Sequence, residues 1–145
     1  MTNESDLHDQ RRGLRDVYVR AWRKHLERRP LEPLETILVD VIGRHPEYHK
    51  LLVEEGVGDR DFHEDSGGTN PFVHLGLHVA LREQVAADRP PGIRDAYAAL
   101  AARFTDPHAL EHAVMDCLAG VLWEAQSRGG APDEAQLLEC MRGLA

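Results

Sequence analysis

Residues 106–122, DPHALEHAVMDCLAGVL, decide the fold class. Asp106 is a strong N-cap, and Pro107 suits the first helical position because its missing N–H has no partner there anyway. At about 100° per residue, Leu110, Val114, Leu118, Val121 and Leu122 fall on one arc, the signature of a helix that buries one face. Glu111 lies within that arc, and His108 and His112 sit at its edge. A lone carboxylate on a buried face is costly, so Glu111 needs a cation or a strong donor beside it. Gly129-Gly130 ends the segment, giving a helix over 107–127.

The same punctuation recurs outward from this helix. His45-Pro46, Asn70-Pro71 and Pro90-Pro91 open further segments. They predict helices over 46–55, 71–87 and 91–104, with others over 7–28, 34–44 and from 132 or 133 to the end. The 46–55 piece can also be read as a kinked continuation of 34–44. No stretch alternates with period two. The expectation is therefore an all-α, single-domain bundle of six to seven helices without a sheet. Residues 1–6 are expected as a disordered tail and 56–70 as a long acidic loop carrying Asp59, Asp61, His63, Glu64 and Asp65. That loop does not match a calcium hand, because Glu64 and Ser66 stand where the turn glycine is needed. The first helix is expected to bury Leu14, Val17, Val19, Ala21 and Trp22, and Trp123 is expected to pack between helices.

With 145 residues, the chain can bury a core without a covalent staple. The net charge of −8 argues against nucleic acid, since phosphate binding needs a basic face. The one basic stretch, 11–29, is interrupted by Asp16 and Glu27. A mean hydropathy of −0.45, with no apolar run near the length of a span, argues against a membrane. The first residues have no apolar signal core, so a cytoplasmic location is expected. Cys117 and Cys140 form no CxxC pair and are expected as reduced, buried thiols. A homo-oligomer is compatible with such a bundle, and no small-molecule substrate can be read from the chain.

Six of the nine histidines fall in three i, i+4 pairs: His45/His49, His74/His78 and His108/His112. Chance placement would give about half a pair. Residues four apart share a helix face at about 6 Å, close enough for two imidazoles to reach one ion. His74 and His78 fall inside the stripe of Leu77, Leu81 and Val85, and His45 and His49 fall between Tyr48, Leu52 and Val53. All three pairs begin near the start of a helix and face inward. The expectation is that they meet at one end of the bundle and hold one or two transition-metal ions, with iron or zinc favoured and haem as the weaker alternative. The ligand set is His45, His49, His74, His78, His108, His112 and Glu111. The stretch 108–112 also matches HxxEH, in which Glu111 would be the general base of a metal-dependent hydrolase. In a dinuclear centre, used as an oxidoreductase or hydrolase, Glu111 would instead be a ligand or bridge. The alternatives are a non-catalytic metal-binding or sensing module and a helical interaction protein with a structural histidine network. Arg82-Glu83-Gln84 is expected on a polar face, with Glu83 its nearest candidate for the site.

Further motifs carry a resemblance. His45-Pro46-Glu47-Tyr48-His49, Asn70-Pro71-Phe72, Leu77-His78, Asp88-Arg89-Pro90-Pro91-Gly92-Ile93 and Trp123-Glu124-Ala125-Gln126 resemble the bacterial family of unknown function DUF1841. The likeness runs from Trp22-Arg23-Lys24 to Glu139. It implies a bacterial cytosolic protein and no particular chemistry.

Overall fold

Helices carry the architecture, and no strand occurs among the described residues. The computed structural model describes residues 4–60, 62 and 70–145. The α-helices are α1 (Glu4–Leu26), α2 (Pro33–Gly43), α3 (His49–Leu52), α4 (Pro71–Ala87), α5 (Ile93–Ala101), α6 (Pro107–Arg128) and α7 (Glu134–Gly143). Short 3-10 turns cover Pro46–Tyr48 and Val57–Asp59. By packing, the chain divides into two compact units, Met1–Leu75 and Gly76–Ala145, with α4 running from one into the other.

In the first unit α1 packs along α2, and Lys24 on α1 meets Glu35 on α2 at 2.9 Å. Glu35 also accepts the Glu32 N–H at 2.8 Å, so one carboxylate both caps α2 and ties it to α1. Arg15, only 5% exposed, donates to the carbonyls of Gly58 and Arg60 at 3.3 and 2.7 Å. Its guanidinium also lies over the rings of Phe62 and Phe72. That anchor draws the 3-10 turn so close to α1 that a Cβ on Gly58 would stand 2.9 Å from Asp16 Oδ1.

In the second unit Leu81, Ile93, Leu100, Leu110, Val114, Leu118, Val121, Leu137 and Met141 form one buried cluster. Asp106 accepts the His108 N–H at 3.0 Å, and Gly129, at φ +71°, closes α6 in the left-handed conformation that lacks a steric penalty only for glycine. Asn70 caps α4 through Phe72 N–H at 3.0 Å, and Asp133 caps α7 through Gln136 N–H at 3.1 Å.

Several expectations change. α1 begins at Glu4, so residues 4–6 of the expected tail are helical, where acidic side chains favour a helix N-terminus. Residues 1–3, like Asp61, His63, Glu64 and Asp65 of the acidic loop, lie outside the described residues. The expected helix over 46–55 is a 3-10 turn followed by a single α-turn that ends at Leu52, and Gly56 at φ +74° leads into the next 3-10 turn. Such a short piece has too few hydrogen bonds to offset nucleation. Leu14 is 70% and Trp123 69% exposed, so neither packs as expected. Ala21 and Trp22 on α1 are buried as expected, and α6 buries Val121 and Ala125 on the side away from Trp123. The cysteines also differ: Cys117 on α6 and Cys140 on α7 form a disulfide, their Cα atoms 5.8 Å apart. The segment 118–139 turns back on itself at Gly129, bringing two residues that are distant in sequence face to face.

Candidate metal centre

α4 and α6 carry the centre of the second unit. The Pro107 start places His108 and His112 one turn apart on α6, and α4 supplies His78, which is fully buried. Ring nitrogens of His78, His108 and His112 lie within 4.8 Å of one another. The His78 and His108 rings are nearly parallel, 5.4 Å apart at their centroids. Nε2 of His78 faces Nε2 of His112 at 3.1 Å.

The other side of His78 explains its orientation. Its Nδ1 donates to Glu111 Oε1. A carboxylate can only accept, so Nδ1 carries a proton, and in the neutral ring Nε2 is then the nitrogen that offers a lone pair toward His112. Arg82 Nε approaches both oxygens of the same carboxylate, at 3.2 and 3.3 Å. Burial pushes the Glu111 carboxyl up, but the hydrogen bond from His78 and the charge of Arg82 outweigh it and hold the group below its ordinary value. Tyr97 on α5 senses the same charge: burial first, then Glu111, push its phenol up.

These contacts bear on the role expected of Glu111: His78 and Arg82 engage both of its oxygens, and a base or bridging role would have to use the lone pairs that remain. A carboxylate stabilised in its charged form is also a weak base. Arg82 is the residue that sequence reading missed. The signal was present, because α6 has a carboxylate on its buried face and α4 has an arginine one turn after His78, but only a tertiary contact pairs them. Glu83, the expected contributor, is exposed.

The first unit holds a second imidazole pair. His45, 1% exposed, donates through Nδ1 to the Val41 carbonyl at 2.7 Å, and its Nε2 stands 3.1 Å from Nε2 of His74. Tyr48 stacks on His45 at 5.5 Å. His49 turns elsewhere. Its Nε2 donates to the Ile42 carbonyl at 2.8 Å and its ring lies on Trp22 at 4.5 Å, which removes that nitrogen from any ligand set.

The fold and these contacts frame a comparison with known proteins. The model for a domain of unknown function, DUF1841, matches residues 10–143. The chain belongs to the DUF1841 family. No curated protein and no solved structure matches it. The described residues hold a histidine cluster that could bind a metal. They also hold no helix long and apolar enough to cross a membrane.

Proposed function

We propose that this protein binds a transition-metal ion, iron or zinc, through His78, His108 and His112. The observation that carries the reading is the approach of three buried or half-buried imidazoles, one of them already fixed with its Nε2 lone pair pointing at a neighbour. Metal–nitrogen bonds of about 2.0–2.1 Å at tetrahedral or octahedral angles place adjacent ligand nitrogens about 2.9–3.4 Å apart. The His78–His112 separation of 3.1 Å falls in that interval. Imidazole suits iron, zinc, copper and nickel, and the disulfide takes both thiols out of competition.

Where a coordination position is left to water or a substrate oxygen, such a centre would serve as a metal-dependent hydrolase or oxidoreductase, and where none is left, as a storage module. The His45–His74 pair has the same 3.1 Å spacing and is the proposed seat of a second ion.

Elemental analysis of protein made without a histidine tag tests the reading. Stoichiometric iron or zinc is expected, with loss of the ion from His78→Ala and from His108→Ala, His112→Ala. The pair His45→Ala, His74→Ala should remove only a second equivalent. A purely structural network has one observation in its favour, since His112, His78, Glu111 and Arg82 already form a continuous hydrogen-bonded chain. Absence of bound metal after incubation with iron, zinc and cobalt would establish that network instead.

A further inference from the structure

We infer that Arg82 and Glu111 are positioning residues that act on the bound ion through His78 without touching it. The inference rests on the metal reading above, but its core is a feature of the metal-free protein. A histidine can carry its single neutral proton on either ring nitrogen, and only the tautomer protonated at Nδ1 offers Nε2 as a ligand. Glu111 imposes that choice. Its Oε1 meets Nδ1 of His78, where only an N–H is tolerable, and both residues are buried, Glu111 at 8% exposure and His78 completely. Water has little access to exchange one tautomer for the other.

Arg82 completes the arrangement by holding the carboxylate in place. Its Nε lies almost equally far from the two oxygens, 3.2 and 3.3 Å, straddling the carboxylate. One oxygen is shared with His78, so rotation of the carboxylate would weaken both contacts at once. The order is therefore arginine, carboxylate, imidazole, ion, with α4 supplying the first and third members and α6 the second. A hydrogen-bonded carboxylate behind a ligating imidazole fixes the ring and raises its basicity, and such partners are worth about 10- to 100-fold in metal affinity. His45 makes an instructive contrast. The acceptor at its Nδ1 is the neutral Val41 carbonyl, which selects the same tautomer but adds no charge. His78 is thus the stronger donor of the two.

The assignment differs in kind from a ligand or base role. A ligand would change the coordination sphere when removed; a positioning residue changes the affinity and leaves the sphere intact. Nitrogen-15 NMR of the histidine rings in metal-free protein is the first test. His78 should carry its proton on Nδ1, and Glu111→Ala should release the ring toward the Nε2-protonated form while helical circular dichroism is retained. The second test is Co(II) titration followed by absorption. Glu111→Gln and Arg82→Met should weaken Co(II) binding about 10- to 100-fold with the band positions of the wild type. Rescue by Arg82→Lys should be partial, since lysine restores charge without the planar fork.

An Nε2-protonated His78 in the metal-free wild type overturns the inference and leaves the metal reading standing. So does a shift of the Co(II) bands in Glu111→Gln, which would make Glu111 a ligand. Failure of the wild type to bind Co(II), with the Nδ1 tautomer in place, overturns the metal reading and with it the action on an ion. Should Glu111→Ala not fold, Glu111→Gln and Arg82→Met carry the titration.

Discussion

Replacing Cys140 with serine should cost this protein a large share of its stability. The disulfide joins residues separated by 23 positions, and the loop-closure relation with that length gives an entropic contribution of about 3.4 kcal/mol at 25 °C. Over 145 residues, an unfolding entropy of about 2.1 cal/mol/K per residue converts this to a fall in Tm of about 11 °C. The packing contribution is small by comparison. Cys140 is exposed, and serine fills nearly the same volume, so most of the loss should come from the unfolded chain regaining freedom. Thermal unfolding in EDTA, with and without a thiol reductant, checks the expectation. Wild-type protein should lose about 11 °C on reduction, whereas Cys140→Ser should melt at the reduced temperature under both conditions. The reasoning would be refuted by a wild-type Tm that ignores reductant, or by two titratable thiols per chain in denatured, unreduced protein.

Two further perturbations probe the first unit. Arg15→Met keeps the aliphatic bulk but strips the donors from the Gly58 and Arg60 carbonyls, and should cost about 1–3 kcal/mol in urea unfolding; an unchanged midpoint would mean that water satisfies those carbonyls. Glu35 is held below its ordinary carboxyl value by the Glu32 N–H and then by Lys24, so its contribution is complete above the unfolded value of 4.5 and is lost as pH falls through the lower folded value. Glu35→Gln should therefore flatten the decline of stability below about pH 4.5, and a curve parallel to the wild type would remove Glu35 from the acid response.

Much of the fold was legible because helix boundaries are local. Asn70-Pro71 and Asp106-Pro107 start α4 and α6 where expected, since capping and the missing proline N–H depend on neighbours in sequence alone. The ends of α5 were less legible. Gly92 takes φ +98° as its N-cap and delays the helix to Ile93, two residues after the proline pair that was expected to open it. Trp123 misled for another reason. Being on an apolar-looking helix does not place a residue on its buried face, and α6 had more apolar positions than its core contacts could cover.

The sequence on its own determined the helical class, the four-residue spacing of the histidines, and the demand of Glu111 for a positive partner. Each follows from periodicity or from the cost of burying charge, which act along a single helix. Tertiary structure alone decided which partners answered. It gave Glu111 to His78 and Arg82, turned His49 to a backbone carbonyl, paired His45 with His74, and joined Cys117 to Cys140. Helical spacing fixes the direction of a side chain to within an arc. Whether a side chain becomes a ligand, an orienting carboxylate or a bystander depends on how two helices rotate and slide against each other, and no local pattern encodes that.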